Sequence, residues 1–156
     1  MYQRILVPVD GSHTSTLGLQ EAIRLAIDQR ARLRLIHVVD ELLVAQNFEG
    51  YINAGDLIDS LEESGKKALQ KAVALTRKHD LKVDASLFET VGGRVADVIM
   101  REARKWKADL IVMGTHGRRG LGRVVLGSDA EAVLRETRVP VLLVRAPDRK
   151  KRPGPK

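Results

Sequence analysis

The chain has 156 residues, of which 44% are hydrophobic and only 3% aromatic, and it has no cysteine. That is one domain's worth of chain with an aliphatic core, and it excludes disulfides, thiolate metal sites and a cysteine nucleophile. The formal charge of +7 is concentrated at one end: Arg145, Arg149, Lys150, Lys151, Arg152 and Lys156 stand against one acid, Asp148, so residues 1–144 carry only +2.

Apolar periodicity divides the chain. Residues 4–9 (Arg-Ile-Leu-Val-Pro-Val) read as a buried strand. Leu19, Ala22, Ile23, Ala26 and Ile27 mark one face of a helix. Residues 33–39 return to strand, and a long helix follows with Leu57, Leu61, Ala68, Leu69, Ala72 and Leu75 along its stripe. Residues 81–87 alternate strictly, as a third strand. Val95, Val98, Ile99, Ala103 and Trp106 define another helix, residues 110–113 a fourth strand, residues 129–136 a short helix and Val141–Val144 a fifth strand. Proline and glycine mark residues 147–156 as a basic disordered tail behind a single domain of residues 1–146. A solubilising end explains that tail better than a nucleic-acid arm, because no aromatic residue is interleaved.

Strands alternating with helices imply right-handed crossovers and a parallel sheet covered on both faces. The expected fold is an open, doubly wound α/β sandwich of five strands. Strands 1, 2 and 4 are apolar on both faces and belong at the centre, whereas strand 3 alternates and suits an edge. The order is then 3-2-1-4-5. Strand 5 is an apolar edge, and such an edge invites pairing with another chain. A homodimer through Val141, Leu142, Leu143 and Val144 is therefore expected, unless the tail or a helix covers that edge. No segment approaches the roughly 18 unbroken apolar residues that span a bilayer, and the N-terminus lacks a signal-peptide profile. A soluble cytoplasmic protein is expected.

In this order the chain leaves strands 1 and 4 in opposite directions, opening a crevice at their carboxyl ends. Strand 1 ends there in Val9-Asp10-Gly11-Ser12. Strand 4 runs into Met113-Gly114-Thr115-His116-Gly117-Arg118-Arg119-Gly120 and on to Gly127-Ser128, with five glycines in the fourteen residues from Gly114 to Gly127. Glycines let backbone amides approach an anion, and Gly127-Ser128 opens a helix whose first amides favour phosphate. Ser128 adds a hydroxyl donor, and Arg118, Arg119 and Arg123 balance negative charge. Set against this is a plain glycine-rich loop with Ser128 as an N-cap; the place of the loop at the switch point favours phosphate. There is no Walker loop, no G-x-G-x-x-G after strand 1, and no acidic partner or strand-5 lysine to make Asp10 a phosphoacceptor.

The spacing Gly114-x-x-Gly117, nine residues, Gly127-Ser128 resembles the G-x-x-G-x(9)-G-[ST] signature of the ATP-binding branch of the universal stress protein family. Arg4-Ile-Leu-Val-Pro-Val-Asp-Gly-Ser resembles that family's first strand and turn, Ile36-His-Val-Val its second strand, Asp109-Leu-Ile-Val-Met-Gly-Thr-His-Gly its fourth and Val139-Pro-Val-Leu-Leu-Val-Arg its fifth. The resemblance implies an adenine-nucleotide site in which Pro8, Val9 and Asp10 lie by the ribose and phosphates and the backbone of Val38 meets adenine. Met113, Gly114, His116, Gly117 and Arg118 would line the groove, with Gly127 and Ser128 at the distal phosphates. It further implies ATP as ligand, with AMP and ADP as alternatives, a strand-5 dimer, and a cytoplasmic stress-response protein with weak or no catalysis. Asp129 departs from the family's apolar residue or threonine. A carboxylate there favours the helix dipole but repels a triphosphate unless it faces away or shares a metal.

Asp10 is a candidate Mg²⁺ ligand, since a hard cation prefers carboxylate oxygen; capping the turn before the first helix is the alternative. His116 reads as a ribose or phosphate contact or a solvated loop residue, and His37 as a satisfied core residue. His13 and His79 read as surface or cap positions, and no two histidines have metal-ligand spacing. Phe48 and Tyr51, two of five aromatics, fall in a connection that is long for an α/β fold; closing over the nucleotide, joining the dimer and satellite packing all remain open. The expected function is a nucleotide-binding regulatory module. The rivals are a slow ATPase or nucleotide transferase at the same site, which lacks a base beyond Asp10, Asp129 or His116, and nucleic-acid binding through the tail.

Overall fold

The computed structural model describes residues 1–41, 54–115 and 126–147. Among these residues five strands and four helices alternate: β1 (Arg4–Pro8), α1 (His13–Gln29), β2 (Arg32–Asp40), α2 (Ala54–Arg77), β3 (Val83–Thr90), α3 (Val95–Trp106), β4 (Leu110–Gly114), α4 (Ser128–Glu136) and β5 (Val141–Val144). All paired strands are parallel, in the order β3-β2-β1-β4-β5, as the alternation of periodicities implies. The third strand starts two residues late because Asp80, with φ 54°, turns the chain out of α2. It then runs three residues further than its sequence pattern, since β2 supplies partners as far as Asp40↔Thr90.

Strand parity sorts the core into two layers. Ile5, Val7, Leu33, Leu35 and Val112 face α1 and α2, meeting Leu19, Ala22, Ile23, Ala26 and Ala72. Leu6, Ile36, Ile111 and Met113 face α3 and α4, meeting Ile99, Ala103 and Val133. Ile27, read as part of the buried stripe, is 50% exposed. It lies at the outer margin of that stripe, in the last turn of α1.

Three polar devices fix this frame. Asp109 accepts hydrogen bonds from the amides of Gln3 (2.8 Å) and Arg4 (2.9 Å), clamping the entry of β1 to that of β4. On the α3 side of β2, Arg34 Nη2 meets the buried carboxylate of Glu102 at 3.1 Å. Arg34 Nε is buried there with no acceptor. At the surface, Arg94 donates to both Asp97 and Glu136, at 2.7–3.1 Å, tying the start of α3 to the end of α4.

The last of these makes a prediction about acid stability. Hydrogen bonds and attraction from Arg94 hold the carboxyls of Asp97 and Glu136 below their ordinary values of 3.8 and 4.5. The unfolded chain therefore binds more protons, so their contribution is complete above those ordinary values and is lost as pH falls through the depressed ones. Thermal melts of wild type and Arg94→Ala should differ at pH 7 and converge as the pH drops toward 2. A difference that stays constant over that range would exclude the linkage.

Among the described residues β5 pairs on one side only, with β4. The bonds Ile111 N–H to Pro140 O and Thr115 N–H to Val144 O show that its even-numbered residues face β4. The backbone groups of Val141 and Leu143 therefore point to the open edge.

Candidate functional site

The crevice between β1 and β4 is built first by the chain's turns. After β1, Gly11 takes φ 78°, a conformation that favours glycine. Asp10 accepts from the Ser12 amide at 2.8 Å, Ser12 Oγ accepts from the Ser15 amide at 3.1 Å, and the Asp10 amide donates to Ser15 Oγ at 3.2 Å. Asp10 thus caps its turn, and this tightly bonded loop delivers it to the sheet's carboxyl edge.

β4 ends under the first turn of α1. A Cβ on Gly114 would stand 2.7 Å from Thr14 C and 2.9 Å from Ser15 N. The glycine that the sequence assigns to phosphate approach is thus required for packing against α1. Thr115 then donates its amide to Val144 O (3.0 Å) and accepts from the Gly127 amide (2.8 Å), so both ends of the intervening segment are joined at this residue. Gly127, not Ser128, is the N-cap of α4, with Ser128 as the first helical residue. A glycine cap has no side chain to satisfy the first helical amides.

Between these turns lies a cavity of about 150 Å³ whose walls include Pro8, Val9, Asp10, Val38, Met113, Gly114 and Gly127. That volume is below the about 300–1,000 Å³ typical of a whole drug-sized ligand. Of the remaining expected residues, Ser128 stands at the start of α4 beside the cavity. His116, Gly117 and Arg118, with Arg119 and Arg123, lie outside the described residues, as do Phe48, Tyr51 and residues 148–156.

The backbone of β2 gives one end of the cavity its character. Arg32 N–H bonds Gln3 O, whereas Leu33 N–H bonds Lys82 O, so even-numbered residues of β2 turn their polar edge toward β1. The last such bond is Val9 N–H to Ile36 O at 2.8 Å. β2 outruns β1, leaving the N–H and C=O edge of Val38 facing the crevice. His37 Nδ1 bonds Val9 O at 2.7 Å. A carbonyl only accepts, so Nδ1 carries the proton. His37 is 6% exposed and packs over Gly65, where an added Cβ would stand 2.5 Å from its ring. It is a satisfied core residue.

Sequence periodicity assigned Val95 and Ile99 to the core, yet they also wall the cavity, with Ile36, Ser15 and Ala130. Their signal is positional: they open the helix that lies over the carboxyl ends of the central strands. Asp129 also forms part of the wall, although it is exposed at the rim. Crowding around its carboxyl, then the charges of Asp40 and Asp10, push its pKa above the ordinary aspartate range. It does not face away from the site. Among the described residues no group of three or more His, Cys, Asp or Glu is placed to hold a metal ion. A second, open trough of about 630 Å³ shares the Asp10–Gly11 wall and runs along α2 past Ser64, Lys67 and Lys71. No described helix is long and apolar enough to cross a membrane.

Comparison with known proteins identifies the family and the fold. The model of the universal stress protein family matches residues 1–145. A universal stress protein of Methanocaldococcus jannaschii is 37% identical over 150 residues, covering 94% of this chain and 84% of the relative. A solved universal stress protein family structure from Burkholderia pseudomallei is 34% identical, with a TM-score of 0.73 over 93% of this chain and 97% of that one. More distant structures share the fold. One is the Archaeoglobus fulgidus universal stress protein in complex with dAMP (24% identity, TM-score 0.64, covering 92% and 98% of the two chains). Another is an Arabidopsis thaliana family protein with AMP bound (16% identity, TM-score 0.64, covering 94% and 93%).

Proposed function

The chain belongs to the universal stress protein family, and from that premise we propose that it binds an adenine nucleotide (ATP, ADP or AMP) in the crevice between β1 and β4 and works as a cytoplasmic regulatory module. The observation that carries this reading is the polarity of the cavity. A backbone donor and acceptor on Val38 flank apolar walls from Ile36, Val95 and Ile99, and the first amides of α4, which the Gly127 cap cannot bond through a side chain, stand at the rim. A purine edge matches the first, an apolar ring face the second, and phosphate the third. The solved family structures holding dAMP and AMP support the ligand class. Asp10, a hard oxygen donor at the same wall, is the residue that would share Mg²⁺ with a bound phosphate.

The test is direct. Purified protein is denatured, its supernatant is analysed for released nucleotide, and equilibrium titrations with adenosine, AMP, ADP and ATP follow. Adenine compounds should bind, and Asp10→Ala should weaken their binding. No binding of any of them, with or without Mg²⁺, would sink the proposal. Steady phosphate release from ATP, abolished in Asp10→Ala, would move the reading to a slow ATPase.

We also propose that two copies associate through β5. Its outward-facing Val141 and Leu143 backbone groups, on a strand only half-buried in the single chain, support this. Sedimentation should return twice the chain mass at micromolar concentration, and a monomer would overturn the dimer.

A further inference from the structure

We propose that Asp129 makes this site select its ligand by charge, taking adenosine and singly phosphorylated adenine nucleotides ahead of ADP and ATP. The proposal rests on the adenine-nucleotide reading and adds which members of that class are held. Three observations carry it.

First, the described wall of the cavity contains two carboxylates, Asp10 and Asp129, and no cationic side chain. Second, Asp129 lies in the first turn of α4, beside the Gly127 cap. A phosphate would otherwise draw on the positive end of that helix, but a carboxylate in the first turn already occupies its field. Glu131 follows in the same turn. Third, the cavity between the described walls is about 150 Å³, the size of a fragment of the ligand. The apolar walls and the Val38 edge therefore act on the base, while added phosphates extend past the acidic wall. Crowding and the charges of Asp40 and Asp10 push the Asp129 carboxyl above the ordinary aspartate range, in keeping with a wall that disfavours further negative charge. A chain of phosphates adds charge with each step and meets repulsion each time.

The experiment is calorimetric titration of the full chain, freed of copurified ligand, with adenosine, AMP, ADP and ATP in EDTA and again in Mg²⁺. Wild type and Asp129→Asn are compared, with melting curves to confirm that this isosteric variant folds. In EDTA, wild type should bind ATP at least about tenfold more weakly than AMP. Asp129→Asn should close most of that gap while moving adenosine by less than about twofold, and Mg²⁺ should improve ATP more in wild type than in the variant.

ATP binding as tightly as AMP in EDTA would assign charge control to the arginines of residues 116–125 and overturn the proposal. So would an Asp129→Asn variant that shifts adenosine and ATP alike. Failure of every ligand, adenosine included, would instead remove the nucleotide reading beneath it.

Discussion

Glu102→Ala should lower the melting temperature by roughly 6–20 °C. The carboxylate is 2% exposed and meets Arg34, itself 18% exposed, at 3.1 Å. Removing one partner of a buried pair costs about 3–5 kcal/mol, because the survivor is left charged and uncompensated. Each kcal/mol moves a domain of this size by roughly 2–4 °C. Arg34 is poorly placed to adapt, since its Nε is already buried without an acceptor and its only other described side-chain bond is to Ser86, at 3.4 Å. The double variant Arg34→Met/Glu102→Leu should recover most of the loss, because apolar replacement of a whole buried pair is often neutral or better. A single variant that melts with wild type, or a double variant that melts below the single one, would refute this account.

Gly114→Ala should both destabilise the protein and remove nucleotide binding. The new methyl would stand 2.7 Å from Thr14 C, 2.8 Å from Thr14 O and 2.9 Å from Ser15 N, all backbone atoms that no rotamer change can clear. The first turn of α1 must retreat, at about 1–3 kcal/mol for overpacking. It takes with it Ser15, whose hydroxyl accepts from the Asp10 amide, so one wall of the cavity shifts. Gly18→Ala is the control. The corresponding distances there are 3.3 Å to Gly114 N and Met113 C and 3.6 Å to Met113 Cα, so less movement is required and both the melt and the titration should change less. Equal effects of the two substitutions on binding would separate Gly114 from the site.

The sheet was legible because burial writes itself into periodicity. Strict alternation in residues 81–87 marked an edge, and apolar runs such as Leu110–Met113 marked the centre. The site was legible only in outline. Gly114 looks the same in sequence whether its empty position admits a phosphate or the backbone of α1, because a missing side chain says nothing about the neighbour that fills its place. Val95 and Ile99 fit the apolar stripe of α3, which conceals their second role in the cavity wall. The Arg34–Glu102 pair had a trace that periodicity missed: an arginine set between the buried Leu33 and Leu35 of a central strand needs a partner for its charge.

Thr115 has a wider consequence. Through its amide it is joined to Val144 on the edge strand, and through its carbonyl to Gly127 at the head of α4. One residue thus connects the strand on which a second copy would assemble with the turn that would receive the ligand. Were nucleotide binding to shift self-association through this residue, self-association would return the same factor to nucleotide affinity, and protein concentration would then tune how readily the site fills.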